Sequence, residues 1–288
     1  MEASKKDRQG NILRLTESAI MIAFATVLSE IKVLEMPMGG TITAFSMLPI
    51  IIIAYRYGTK WGLVTGATAG LLQMLLGMQN LKYGATFLAV VCIILFDYLV
   101  AFGVQGFGGI FRGKLKYQAA ELAAGAVVVG ALRFVCHFIT GWTIWGVWAP
   151  EGMPAWLYSL SYNATYMVPE TILTAVGAAL ISLILDFQSR DITRQRAKDT
   201  AVSAAPRNNA AFAAKVTGIL TICGGVLYVI SSVIYAFFAS FSDETVTAPE
   251  AVYLIAIIGV TAVIGIVLYA LGEVVQILSD LRAEKRGK

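Results

Sequence analysis

Residues 84–110 read GATFLAVVCIILFDYLVAFGVQGFGGI, an apolar stretch whose single charged side chain is Asp97. A helix needs about 20 apolar residues to cross the hydrocarbon core of a bilayer, so this stretch predicts a membrane-spanning helix. The rest of the 288-residue chain has the same character, with 58% hydrophobic and 14% charged residues. Soluble domains carry about 25% charged residues. The composition therefore predicts a protein that crosses the membrane several times.

Apolar runs and the residues that interrupt them predict eight spans, and helix is the expected form because backbone in lipid must satisfy its own hydrogen bonds. The predicted spans lie near residues 15–34, 42–57, 60–78, 84–110, 117–142, 157–187, 213–241 and 250–279. The stretch 188–212 is polar and basic, which predicts a cytoplasmic linker. The predicted fold is thus an all-α membrane protein with a six-span core at 1–187, the linker at 188–212 and a two-span extension at 213–288.

The basic residues indicate how the chain is oriented. Of the 22 Lys and Arg residues, all but Lys32, Lys82 and Arg133 fall at one set of span ends. Cytoplasmic loops carry such an excess, so both termini are predicted to be cytoplasmic and the protein to reside in the cell membrane. Because the basic residues are confined to these flanks, no nucleic-acid partner is predicted. The three cysteines have no partner at metal-ligand spacing, and no metal or cofactor is predicted.

Ionisable residues inside spans are costly and therefore informative. Glu17 and Glu121 lie near the basic ends and are expected to be structural. Arg133 and Glu170 could pair across spans five and six, or contact a ligand directly. The glycines of span three, Gly62, Gly66 and Gly70, indicate close helix packing.

Asp97 and His137 have no such simple explanation. Gly141 and Trp145 follow His137 at four-residue steps and continue one helical face. Tyr98 adjoins Asp97, and Tyr158 and Asn163 begin span six after a tryptophan-rich outer loop. These residues could converge on a pocket open to the outside. One carboxylate, one imidazole, one amide and several aromatic rings suit a flat, aromatic, cationic ligand.

Several of these motifs occur together, and in the same order, in a known family. They are LTESAIMIAFATVL in span one, MPMGGTIT in the first outer loop, FDYLVAF in span four, and the ordered set from Arg133 to Glu170 that includes RFVCHFITGWTIW. Over roughly residues 12–187 the chain resembles the thiamine-specific substrate-binding (S) component of energy-coupling factor (ECF) transporters.

The resemblance implies a six-helix core that captures thiamine at the outer face with high affinity. It implies partnership with a membrane coupling subunit and two cytoplasmic ATPase subunits, and no enzymatic activity in this chain. The implied thiamine-binding residues are Asp97, Tyr98, His137, Gly141, Trp145, Tyr158 and Asn163. Ala19 and Ala23 are the implied contacts with the coupling subunit, and Met36 to Thr41 the implied gating loop. The family usually has Glu where this chain has Asp97, and the resemblance says nothing about residues after 188.

Other functions are compatible with the same pattern. The fold could bind another vitamin or a thiamine precursor, or the chain could be a stand-alone, ion-coupled vitamin carrier with Asp97 or Glu170 as its proton site. An intramembrane enzyme is disfavoured because the chain has one histidine and neither HExxH nor GxSxG. It also has no GxxxxGK[ST] motif, as expected if ATP is hydrolysed by partner subunits.

Overall fold

The computed structural model describes residues 2–36, 39–84, 86–189 and 192–194, with side chains from Gln9 onward, and a few single positions between 214 and 275. The chain divides into two compact units, Met1–Arg194 and Gln195–Lys288. In the second unit the described positions are helical. Most of the predicted linker, and all but these few positions of the two predicted C-terminal spans, lie outside the described residues.

Besides short 3₁₀ helices at Met78–Tyr83 and Trp145–Trp148, the described residues of the first unit form six helical segments, at the positions of the six predicted core spans. They are α1 (Glu2–Ser29), α2 (Leu48–Tyr57), α3 (Thr59–Leu76), α4 (Phe87–Gly109), α5 (Gln118–Thr143) and α6 (Ala155–Ser182). Within this part of the chain, four segments are long and apolar enough to span a bilayer: Gln9–Ser29 of α1, and the whole of α4, α5 and α6. The all-helical, multi-pass prediction is therefore confirmed.

The second predicted span is wrong in its extent. Helix α2 has ten residues, and at 1.5 Å per residue it is about 15 Å long, half the hydrocarbon thickness. Every residue from Pro49 to Arg56 is buried. Ile51 and Tyr55 pack against Leu122 of α5 and Ala178 of α6 in the largest buried cluster. The apolar run is thus the core of the bundle and not a lipid-facing helix.

Helices α3 and α4 pack with their backbones in close contact, as the glycine stripe predicts. A Cβ atom on Gly66 would lie 2.4 Å from the carbonyl oxygen of Phe102, and one on Gly70 would lie 2.5 Å from that of Tyr98. Gly62 faces Gly106 in the same way, at 2.8 Å from its Cα. Side chains at these positions would push α4 away from α3.

Two small antiparallel sheets accompany the helices. Strands β1 (Lys32–Glu35) and β2 (Thr41–Thr43) form a hairpin between α1 and α2, where the sequence predicts the end of span one and the start of span two. Strands β3 (Leu185–Asp186) and β4 (Thr193–Arg194) pair after α6. Span one consequently ends at Ser29 and not near residue 34.

The basic helix ends meet in one polar cluster. Arg56 at the end of α2 forms an ion pair with Glu17 of α1, with nitrogen–oxygen distances of 2.8 and 3.0 Å. Arg56 also donates to the carbonyl oxygen of Phe187 beyond α6. Glu121 of α5 accepts hydrogen bonds from the Tyr55 hydroxyl and the Leu115 backbone N–H. The structural roles expected for both glutamates are confirmed, and Glu121 is buried.

Candidate binding site

Asp97 lies in the middle of α4, in a stretch with a wider helical turn. Residues Ile93–Val100 form a π-helix, and such turns occur frequently at functional sites. The Asp97 side chain is 12% exposed. A carboxylate this buried in an apolar helix requires hydrogen-bond donors to offset its lost hydration.

Three donors from α5 and the turn after it surround the Asp97 carboxylate. The His137 ring nitrogen Nδ1 lies 3.0 Å from Oδ1, and the Thr140 hydroxyl donates to the same oxygen. The indole Nε1 of Trp145 donates to Oδ2 at 3.0 Å. The structure therefore brings together Asp97, His137 and Trp145, which the sequence analysis placed in one pocket.

The contact with Asp97 also determines the chemistry of His137. A carboxylate only accepts hydrogen bonds, so Nδ1 carries the proton in this contact. In a neutral imidazole the other ring nitrogen, Nε2, is then an acceptor. With Asp97 ionised and His137 neutral, the pair combines a negative charge with a hydrogen-bond acceptor on the neighbouring ring.

Asn163 and Gly141 lie where α5 and α6 pack together beside this group. The Asn163 amide nitrogen donates to the His137 carbonyl oxygen at 3.1 Å and to the Ser159 carbonyl oxygen at 2.9 Å. Its amide oxygen accepts from the Tyr166 hydroxyl at 2.8 Å. A Cβ atom on Gly141 would lie 2.2 Å from the Ser159 hydroxyl oxygen. Both residues thereby hold α6 close to the backbone of His137.

The two predicted tyrosines are less closely tied to Asp97. Tyr158 is buried and its ring centroid lies 5.8 Å from that of Tyr162. The Tyr98 hydroxyl donates to the Gly77 carbonyl oxygen at the end of α3, at 3.4 Å. Tyr98 therefore contacts α3, whereas the neighbouring Asp97 contacts α5.

Three residues that contact the predicted site residues or the loop before α2 were not predicted from the sequence. Thr140 lies three positions after His137, on the same helical face, so its helical spacing could have identified it. The Tyr83 ring lies 6.1 Å from that of Trp145 and 5.9 Å from that of Trp148. The Tyr162 hydroxyl accepts a hydrogen bond from the Gly40 N–H. Tyr83 and Tyr162 carry no pattern in the sequence that distinguishes them from other tyrosines.

The predicted gating loop, Met36 to Thr41, contacts α6 through its ends. Met36 is buried, and its N–H donates to the Gly40 carbonyl oxygen at 2.7 Å. Gly40 packs against Tyr162 and Tyr166, which a Cβ atom would approach to 2.9 Å. The ends of the loop therefore lie against the helix that carries Asn163.

Arg133 and Glu170 form the ion pair that the sequence suggested. Their closest charged atoms, Nη1 and Oε2, are 3.7 Å apart, and both side chains are buried. Glu170 also accepts a hydrogen bond from the Thr43 hydroxyl at 2.6 Å. The pair joins α5, α6 and the end of the hairpin. Among the described residues, no group of three or more His, Cys, Asp and Glu side chains is arranged to hold a metal ion.

The side chains of Ala19 and Ala23 are exposed on the surface of α1. Large apolar neighbours on that helix, Ile20 and Phe24, are about half exposed, whereas Ala25 is buried against Ile50 and Ala69. The two small side chains thus lie on a surface of the unit and not in its core.

Comparisons with known proteins all indicate the same family. Residues 15–190 match the family model described as "Thiamine transporter protein". The chain is 38% identical over 181 residues to the thiamine transporter ThiT of Bacillus subtilis, covering 59% of this chain and 90% of that protein. It is 29% identical over 180 residues to ThiT of Lacticaseibacillus paracasei, covering 58% and 85%. The solved structure of ThiT from Listeria monocytogenes has the same fold, with a TM-score of 0.51 and 24% identity over 60% of this chain and 94% of that one.

Proposed function

Because the chain belongs to the thiamine transporter protein family, we propose that it captures thiamine with high affinity at the outer face of the membrane for import. It is a multi-pass membrane transport protein and not an enzyme. The matched region ends at residue 190, so the proposal concerns the six-helix unit.

The observation that carries the proposal is the buried carboxylate of Asp97 with its three donors from one side. The thiazolium ring of thiamine is a permanent cation that cannot lose its charge by deprotonation. A negative charge in a site of low dielectric attracts such a cation far more strongly than it would in water. The arrangement therefore suits a ligand that brings a fixed positive charge into the membrane domain.

The remaining residues fit the other parts of the ligand. Indole and phenol rings attract organic cations by about 0.5–2 kcal/mol per contact. The Trp145 indole donates to Asp97, and the Tyr83 ring packs against that indole. We assign Tyr98 and Tyr158 to the aromatic walls, and His137 and Asn163 to hydrogen bonds with the aminopyrimidine edge. Gly141 keeps the α5–α6 contact narrow enough to hold them.

Thiamine binding to the purified, detergent-solubilised protein tests the proposal. We expect saturable quenching of tryptophan fluorescence with a dissociation constant in the nanomolar range, because Trp145 adjoins the proposed counter-ion. Trp145→Phe should remove most of the quenching, whereas Trp61→Phe, which changes an indole that donates to the Ser18 hydroxyl near the middle of α1, should not.

A panel of ligands separates this proposal from its nearest alternative. If the folded protein does not bind thiamine but binds another vitamin or a thiamine fragment, the fold assignment stands and thiamine is refuted as the substrate. Quenching that is unchanged in Trp145→Phe would place the ligand elsewhere.

We further propose that import requires a membrane coupling subunit and two cytoplasmic ATPase subunits. The exposed alanines of α1 support a helix–helix contact, because small side chains let two helices approach closely in lipid. A stand-alone, ion-coupled carrier would instead take up thiamine without these subunits and lose uptake with a protonophore.

The polar cluster at the basic helix ends supports an orientation with both termini in the cytoplasm. Arg112 after α4 donates to the Arg56 carbonyl oxygen, so basic residues from separate loops share one end of the unit. Trp145 and Trp148 belong to the connection at the other end of α5.

Labelling of introduced cysteines in intact cells tests this orientation. Glu151→Cys, in the exposed α5–α6 connection, should react with a membrane-impermeant maleimide. Lys114→Cys, or a cysteine appended after Lys288, should react only after permeabilisation. The unmodified protein, with its native cysteines, is the blank. The reverse labelling pattern would invert the proposed topology.

A further inference from the structure

The hydroxyl of Thr140 donates a hydrogen bond to the Asp97 carboxylate. Thr140 is 1% exposed, and its Oγ1 makes its shortest contact with the Asp97 carboxylate. The two carbonyl oxygens within its own helix, those of Cys136 and His137, lie farther away, at 3.3 and 3.2 Å. A hydroxyl has one proton, and a charged acceptor binds it more strongly than a carbonyl does. The proton therefore belongs to the contact between α5 and α4.

Several other helical threonines in the described part of the chain use the hydroxyl differently. Thr143, one turn further along α5, donates back to the Ile139 carbonyl oxygen at 2.7 Å. Thr65 and Thr171 make the same bond four residues back, at 3.0 and 2.7 Å. This back-bonding is the usual arrangement of threonine within a helix. Thr140 departs from it toward a buried charge.

The position of the three donors explains what Thr140 adds. An aspartate carboxylate rotates over a broad range of its terminal torsion. His137 and Thr140 both hold Oδ1, and Trp145 holds Oδ2. Two donors on one oxygen and a third on the other define the plane of the carboxylate.

We infer that Thr140 is a positioning residue for cation binding, acting by fixing the orientation of the Asp97 carboxylate rather than by touching the ligand. The inference rests on the proposed function, in which Asp97 is the counter-ion of thiamine. Among the residues that the structure describes, the only polar contact of Thr140 outside its own helix is that carboxylate.

The test compares Thr140 with its neighbour on the same helix. Thr140→Val keeps the shape and removes the hydroxyl, and we expect about tenfold weaker thiamine binding, equivalent to about 1.4 kcal/mol. Thr140→Ser restores the donor and should bind within about twofold of the unsubstituted protein, a difference well below 1.4 kcal/mol. Thr143→Val makes the same chemical change at an exposed position and should leave binding unchanged. Thr140→Ala removes the same hydroxyl with a smaller side chain and should behave as the valine variant does.

A double-mutant cycle with Asp97→Asn distinguishes positioning from a general packing defect. If Thr140 acts through the carboxylate, Thr140→Val should cost no further affinity once Asp97 has lost its charge. An equal loss in both backgrounds would show a structural role and overturn the inference. Full affinity in Thr140→Val, in a protein that binds thiamine normally, would overturn the inference and leave the proposed function intact. If the unsubstituted protein does not bind thiamine, that result refutes both the proposed function and the inference about Thr140.

Discussion

Replacing Asp97 with asparagine is expected to weaken thiamine binding by tenfold or more, a loss of at least about 1.4 kcal/mol. The substitution removes the negative charge proposed to balance the thiazolium ring. It also turns one acceptor oxygen into an amide nitrogen, which cannot accept the hydrogen bond that His137, Thr140 or Trp145 now donates. Titration calorimetry on the purified protein measures the effect directly.

The matched control for this prediction is Glu151→Gln. It makes the same chemical change to an exposed carboxyl group in the α5–α6 connection and should leave the affinity within the error of the measurement. Thermal unfolding of both variants in detergent shows whether Asp97→Asn has also loosened the helix bundle. Unchanged thiamine affinity in Asp97→Asn would remove Asp97 from the binding site.

Enlarging Ala19 and Ala23 to leucine is expected to abolish thiamine uptake in cells that carry the partner subunits, while leaving thiamine binding intact. Both alanines are exposed on α1, whereas Asp97 and its donors belong to α4, α5 and the turn after α5. Leucine at these positions suits lipid but prevents close approach by a neighbouring helix. Uptake of radiolabelled thiamine, together with binding to the purified double variant, separates the two effects.

Two other alanines provide the controls for the α1 variant. Ala120→Leu changes an exposed alanine near the start of α5 and should preserve both binding and uptake. Ala25→Leu adds volume against Ile50 and Ala69 inside the bundle and should destabilise the protein itself, since overpacking a core costs about 1–3 kcal/mol. Loss of thiamine binding in the Ala19 and Ala23 variant would mean that these residues support the core. Uptake at the normal rate would refute the proposed docking face.

Helix α2 shows how far hydrophobicity predicts this fold. Its apolar run resembles a membrane span in composition, yet the helix is ten residues long and buried by its neighbours. Lipid and a protein core select the same apolar side chains, so composition does not distinguish them. Only the packing of α2 against α5 and α6 shows that these isoleucines face protein.

The site divides in a similar way between what could be predicted and what could not. Asp97 and His137 were identifiable because an ionisable side chain in an apolar span is costly and so indicates a specific role. Trp145 was predicted from its four-residue spacing to Gly141 on one helical face, but α5 ends at Thr143 and Trp145 lies in the 3₁₀ turn that follows. Thr140 and Tyr83 were missed because threonine and tyrosine are common in membrane helices and at their ends. Their importance comes from neighbours more than 40 residues away in sequence for Thr140 and more than 60 for Tyr83.

The sequence by itself determined the membrane class and the places of the six core helices, because a bilayer requires apolar segments of a certain length that satisfy their own hydrogen bonds. It also determined which charges needed partners. The tertiary structure decided which residues are the partners of these charges. Arg56 pairs with Glu17 and Glu170 with Arg133, and the donors to Asp97 are His137, Thr140 and Trp145. Helical periodicity gives the face on which a side chain lies. Which helix that face meets, and at what height, depends on how all the helices pack together.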